Sequence, residues 1–315
     1  MASDEQRFFR ARNQDNFDFE AKRRTHQSDR EDRPYSTRIN WHRPPYRVGT
    51  ILAVALLAFS LLACDAPTVN LGGNPTPITS NLPGNAQFNT WYSAASGVEV
   101  RYEDWNVSGG ASDTVTIVRV DPHAVTLSVG YQPDKPLLMS HWMQQEHSVA
   151  IINGGYFDQN DRATALVISN GQIYGSTYTG FGGMLAVDKG EHISLRSLQQ
   201  QPYIPGESLT QAIQCSPMLM LDGKRTQFTA SDAQSRRSIV AMDKRGRLLF
   251  ISSPDDIFSL DQMADLLASS DLSISIALNM DGGSSTGLFV NGNGKSQVTI
   301  DSYVPLPLVV IVREK

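Results

Sequence analysis

The sequence predicts an α+β fold built from mixed, largely antiparallel sheets with a few packed helices. Three observations predict it. Short β-branched segments that alternate apolar with polar residues recur along residues 98–129. Asn-Gly and Asp-Gly pairs at 170–171, 222–223 and 291–292 punctuate further apolar runs, as hairpin turns do. Helical stripes, by contrast, are few. At 315 residues with 40% hydrophobic side chains, the chain is long enough to bury a substantial core. A net charge of −5 and a pI near 5.7 leave no basic face for nucleic acid, which is excluded as a partner.

Residues 1–47 mix Arg, Asp, Asn and Gln with almost no aliphatic side chains. They predict a disordered, polar and basic arm, because so little apolar surface cannot offset the entropy lost on ordering. The apolar run 48–64 follows, and the excess of Lys and Arg before it predicts an N-terminus kept inside the cell. The run falls short of the roughly 20 residues of a spanning helix and ends Leu61-Leu62-Ala63-Cys64. It resembles a lipoprotein-type signal with Cys64 as the lipidated residue, and the alternative is an uncleaved membrane anchor. Both imply export. Residues 65–87, rich in Pro, Thr, Asn and Gly, predict an extended tether, with the folded domain over 88–315.

Within that domain, Val98–Tyr102, Thr114–Val120 and Val125–Val129 read as half-buried strands. Pro136 then opens a short helix over 137–146, whose Leu138, Met139, Trp142 and Met143 form a stripe for packing. An apolar strand from Val149 delivers Asn153-Gly154-Gly155-Tyr156-Phe157-Asp158, and a return strand follows at 166–169. Strands are expected at 183–187 and over 212–221, the second carrying Gln214-Cys215-Ser216-Pro217. Cys215 has no histidine near it in sequence and reads as a buried, inert thiol. After Arg236-Arg237 come strands at 239–242 and 248–252. Ser259 and Gln262 then form a capping box for a helix to about Ser269. A strand over 273–280 runs into Asp281-Gly282-Gly283-Ser284-Ser285, and Leu288–Val290 returns. The order helix, strand, Gly-Gly, return strand thus occurs twice, either as an internal duplication or as two short pieces that coincide.

The two glycine corners are where chemistry concentrates. Asp281-Gly282-Gly283 can turn successive N–H groups into one concavity, an anion cradle beside a carboxylate, although Asp-Gly is also an ordinary turn. Asn153-Gly154-Gly155 offers a second such corner. Asp281, Asp158 and the two asparagines Asn153 and Asn279 are hard oxygen donors that leave calcium or magnesium open, with no recognised loop spacing and no paired histidines for zinc.

Taken in order, Asn153-Gly-Gly-Tyr-Phe, Gln214-x-Ser-Pro, Arg237-Ser-Ile-Val, a capped helix and Asn279-Met-Asp-Gly-Gly-Ser-Ser resemble the phosphodiester glycosidase family from about Val98 to the C-terminus. Asn153, Gly154, Gly155 and Phe157 fall on its first motif, Arg237 on its second, and Asn279, Asp281, Gly282, Gly283 and Ser285 on its third. Ala241 and Ser284 stand where the family commonly has glycine, and the segment between Ser252 and Ser259 is short. The resemblance implies a hydrolase that removes a sugar from a phosphodiester on a phosphorylated glycan. Asp281 is then the base or nucleophile and Arg237 the phosphate contact, with Asp158 as second carboxylate. The Gly-Gly amides at 154–155 and 282–283 would take phosphate oxygens, and Asn153, Tyr156, Asn279 and Ser285 would contact sugar or water. Two readings from other classes stay open: a glycan-binding surface lipoprotein without catalysis, and a metal-dependent phosphodiesterase.

Overall fold

The computed structural model describes residues 82–229 and 232–315. The expected arm 1–47, the segment 48–64 with Cys64, and most of the tether lie outside the described residues. Leu82 and Ala86 already pack against the core, so packing begins a few residues ahead of Phe88.

The first strands are β1 (Tyr92–Ala95), β2 (Val98–Asn106), β3 (Ser112–Val120) and β4 (Val125–Tyr131). Helix α1 (Met139–Glu146) leads to β5 (Ala150–Asn153), β6 (Val167–Ser169), β7 (Gln172–Tyr174), β8 (Gly183–Asp188) and β9 (Ile193–Ser197). Next come β10 (Leu209–Cys215), β11 (Met218–Leu221), β12 (Lys224–Arg225), β13 (Ser235–Asp243) and β14 (Leu248–Phe258). Helix α2 (Leu260–Ser269) precedes β15 (Ile274–Asn279), β16 (Leu288–Val290), β17 (Val298–Ile300) and β18 (Leu308–Glu314).

These strands form an eight-stranded sheet in the order β1-β2-β3-β14-β13-β15-β11-β12, and two five-stranded sheets, β7-β6-β10-β8-β9 and β17-β16-β5-β18-β4. Each neighbouring pair is antiparallel, so the fold is dominated by antiparallel sheet, and among the described residues the helical part of the expected α+β class is two short α-helices.

Layering follows from strand alternation. In β13, Val240 turns into a central core shared by all three sheets, while Ile239 and Ala241 turn the other way, onto α2. Both faces are covered, which is why β13 and β14 read as near-continuous apolar runs. Helix α2 keeps its predicted capping box, with the Ser259 hydroxyl accepting from Gln262 N–H and the Gln262 side chain accepting from Ser259 N–H. Helix α1 packs Met139 and Trp142 on the outer face of the third sheet, and Trp142 Nε1 donates to Leu306 O at 2.8 Å.

One expectation is corrected outright. The single strand over 212–221 is two strands in different sheets, because Pro217 lacks the N–H that a continuing ladder needs; β10 ends at Cys215 and β11 starts at Met218. The Gly-Gly corners behave alike. After each, the next strand belongs to another sheet, β6 after β5 and β16 after β15, so neither corner is a hairpin.

Candidate active site

The two corners are bonded to each other. Asp281 N–H donates to Gly154 O at 3.1 Å, and Asn153 Nδ2 donates to Asp281 O at 2.8 Å. Asn153 Oδ1 accepts Gly287 N–H at 3.1 Å. Close approach explains the glycines: a Cβ on Gly154 would stand 2.5 Å from Leu308 Cγ, and one on Gly282 would stand 2.8 Å from Arg236 O. At these two positions a side chain would collide with what is already packed there.

Strand register brings the main chain at Arg237 level with that at Asp281. β13 and β15 pair Ile239 with Asn279, and Met280 N–H continues the ladder to Ser238 O at 2.9 Å. Arg237 and Asp281 are the next positions along. The Arg237 Nε donates to Phe258 O at 3.2 Å and its Nη2 to Ala233 O at 2.8 Å, which fixes the guanidinium and leaves the rest of its five N–H donors uncommitted to these carbonyls. Burial pulls the guanidinium below its ordinary pKa, opposed by Tyr156 and Asp256 nearby.

Burial raises the Asp281 carboxyl above the usual aspartate value, against the opposing pull of the Ser285 hydroxyl and of Gly282 N–H, which donates to its Oδ1 at 2.9 Å. Tyr156 is the hub between these groups. Its hydroxyl donates to Ser216 O at 2.9 Å and accepts from Asn279 Nδ2 at 2.8 Å. Burial pushes this phenol well above its ordinary pKa, and the charges of Asp281 and Arg237 both reach it, with opposite sign. Cys215 behind it is fully buried, its thiol pushed up to about 12 by burial, and is inert.

Arg237, Asp281, Ser285, Tyr156 and Asn279 therefore gather around one end of the eight-stranded sheet. Asn153 is beneath them and buried, with its amide spent on main chain. The Gly154 N–H is bound to Leu308 O at 2.9 Å and the Gly282 N–H to Asp281 itself, so neither can meet an anion without giving up that bond. Gly155 and Gly283 lie in the same corners, Gly283 at φ +59°. Asp158 does not join the group: it is exposed, and its Oδ1 accepts the N–H groups of Asn160 and Arg162 in its own turn. Of the oxygen donors considered for calcium or magnesium, Asp158 is the one outside the group, and among the described residues no three His, Cys, Asp or Glu side chains stand where they could hold a metal.

Three participants were not singled out from the sequence. The Ser216 carbonyl binds both Tyr156 and Asn279, the latter at 3.1 Å. Asp256 accepts from Arg236 N–H at 2.8 Å and faces Arg237. Gln214, buried, accepts Tyr178 N–H at 2.8 Å. Ser216 and Gln214 had a signal, since both stand in the quoted Gln-x-Ser-Pro motif; Asp256 had none.

The catalytic domain of zebrafish N-acetylglucosamine-1-phosphodiester α-N-acetylglucosaminidase, auto-inhibited by its pro-peptide, superposes with a TM-score of 0.55 at 20% identity, over 73% of this chain and 87% of that one. A hypothetical protein from Synechocystis superposes with a TM-score of 0.52 at 15% identity, over 73% and 64% of the two chains. Likeness at these identities is likeness of fold. No curated protein sequence matches the chain. The family model described as phosphodiester glycosidase matches residues 146–312, more than half of the chain, and spans every gathered side chain named above. The chain belongs to the phosphodiester glycosidase family.

Proposed function

We propose that the protein is a hydrolase that breaks the bond between a sugar's anomeric carbon and the phosphate oxygen of a phosphodiester on an envelope or extracellular glycan. The observation that carries the reading is that Arg237, near the start of β13, and Asp281, just past the end of the neighbouring β15, both lie within electrostatic reach of Tyr156.

The chemistry asks little of a general acid, because a phosphomonoester departs readily without being protonated. It asks more of a group facing the anomeric carbon as positive charge develops there. Asp281 takes that part as base or nucleophile, and its raised pKa makes it a stronger proton acceptor than an exposed aspartate. Arg237 holds the departing phosphate through the N–H donors that Phe258 and Ala233 leave free, stabilising negative charge as the bond opens. Asp158, closing its own turn, has no step in this scheme.

Synthetic sugar-1-phosphodiesters incubated with the full-length protein in oxygen-18 water test the reading. Label in the released sugar is expected. Label in the phosphate would mean cleavage at phosphorus and a phosphodiesterase instead, and binding without turnover would mean a glycan receptor.

Export and membrane attachment belong to the same proposal. They are supported by the apolar run 48–64 ending in Cys64 and by the Pro- and Thr-rich stretch behind it. Among the described residues no helix is long and apolar enough to cross a membrane. Fractionation of Cys64→Ala separates the two modes: release from the membrane fits lipidation, retention fits an uncleaved anchor, and a parent protein found free of membranes sinks both.

A further inference from the structure

We propose that the cavity on the far side of Ser216-Pro217 is the subsite for an uncharged sugar ring, so that the sugar lies to one side of Asp281 and the phosphate, on Arg237, to the other. The phosphate half of this statement rests on the hydrolase reading above. The sugar half rests on the cavity itself.

Strand order supplies the direction. Across the end of the eight-stranded sheet the sequence is β13, β15, β11, β12. Arg237 belongs to β13, Asp281 follows β15, Ser216-Pro217 precedes β11, and Thr226–Phe228 follows β12. Asn279 N–H bonds Pro217 O at 3.0 Å, which keeps the third position in line with the second. With neighbouring strands about 4.8 Å apart, the main chain at Asp281 lies between the strand that carries Arg237 and the strand that borders the cavity. A sugar-1-phosphate laid across the strands puts its anomeric carbon over the middle position.

The cavity has a volume of about 350 Å³, within the roughly 300–1,000 Å³ range of small-ligand sites. Its lining includes Phe181, Ser197, Gln199, Pro217, Gln227 and Phe228, and among the described residues no charged side chain lines it. A phosphate would find no counter-charge there, whereas a pyranose ring would find amide and hydroxyl partners for its own hydroxyls and aromatic carbon for its apolar face. Phe181 is presented for such stacking. It is 52% exposed, yet its ring stacks on Tyr178 with centroids 4.6 Å apart. Tyr178 in turn is tied through its N–H to the buried Gln214, whose Nε2 donates to Thr177 Oγ1 at 2.9 Å. Gly182 (φ +76°) seats the loop on the end of β10, where a Cβ would stand 2.6 Å from Cys215 O. An exposed aromatic ring held this firmly loses little entropy when a ligand covers it.

Saturation-transfer NMR and titration of the full-length protein with a panel of free neutral hexoses and N-acetylhexosamines, alongside inorganic phosphate, test the assignment. At least one sugar is expected to bind. Phe181→Ala should weaken it at least tenfold and Gln199→Ala at least threefold, with phosphate binding unchanged in both, since both side chains are exposed and outside the core. Arg237→Lys should do the reverse. The assignment is overturned if no sugar binds, or if both cavity variants bind sugar as the parent does, even while the parent hydrolyses sugar phosphodiesters. Sugar binding that depends on Phe181 in a protein without turnover would uphold the subsite and sink the hydrolase.

Discussion

Asn153 and Asp281, 128 positions apart in the chain, are joined by a hydrogen bond of 2.8 Å from the Asn153 side-chain nitrogen to the Asp281 carbonyl oxygen. The same side-chain amide accepts Gly287 N–H, so one buried side chain on the first corner holds both ends of the turn from Asp281 to Gly287. Removing it strands a buried donor and a buried acceptor, each costing about 1–3 kcal/mol. Asn153→Ala should therefore lower the urea midpoint substantially and reduce turnover only as the folded fraction falls. Asn153→Asp keeps the acceptor but turns a buried carboxylate oxygen toward the Asp281 carbonyl, and should cost at least as much as Asn153→Ala at neutral pH. Wild-type stability in Asn153→Ala would show that the corners do not need this tie.

The two adjacent arginines have separate tasks. Arg236 is buried, its Nε donating to Pro254 O at 2.7 Å and its Nη2 to Asp301 O at 2.9 Å, with Tyr303 stacked 4.0 Å over the guanidinium. Arg237 keeps N–H donors that Phe258 and Ala233 do not take, within electrostatic reach of Tyr156. Arg237→Lys should lower kcat/KM about a hundredfold, or roughly 2.7 kcal/mol, since an ammonium cannot offer a planar fork, with little change in melting temperature. Arg236→Lys should instead lower the melting temperature. Unchanged kinetics in Arg237→Lys would remove it from the site.

Much of this was legible in the sequence because the relevant signals are local. The capping box of α2, the alternation of β2 and β3, and the glycine corners each depend on a handful of neighbouring residues. What eluded the sequence depends on pairing across long distances. Whether Asn153 faces ligand or main chain depends on Gly287, and whether Gly154 N–H is free depends on Leu308, a residue in a strand that pairs with β5 from the far end of the chain. Asp158 read as a second carboxylate by being near a motif, but an aspartate followed by Asn160 and Arg162 N–H groups closes its own turn first. Asp158→Ala should accordingly leave kcat within about twofold of the parent, and a hundredfold loss would restore it to the reaction.

As the proposed base or nucleophile, Asp281 also links the reaction to stability. Its pKa in the folded protein lies above that of the unfolded chain, so between the two values the folded state holds more protons and stability falls as pH rises. Below the unfolded value the carboxyl is protonated in both states and the cost is absent; above the folded value it is fully present. Asp281→Asn mimics the protonated form and should raise the melting temperature at neutral pH, by roughly 2–4 °C for each 1 kcal/mol relieved in a domain of this size. It should abolish turnover while retaining ligand binding. A melting temperature that is lower than the parent's at pH 7 would mean that the charge is not strained by its burial.

The acid limb of the pH profile should move with the Ser285 hydroxyl. In the proposed reaction turnover requires ionised Asp281, so activity should fall as pH drops through its pKa, at a higher pH than for an ordinary aspartate. Ser285 is buried and favours the ionised carboxylate, holding the rise caused by burial in check. Ser285→Ala removes that check without adding bulk. The acid limb of kcat/KM should shift upward by about half to one pH unit, a change worth about 1 kcal/mol, while the plateau rate at high pH stays within a fewfold of the parent. A loss of rate that is equal at every pH would mean that Ser285 acts on the substrate and not through the carboxylate, since only a group that tunes Asp281 can move the limb and spare the plateau.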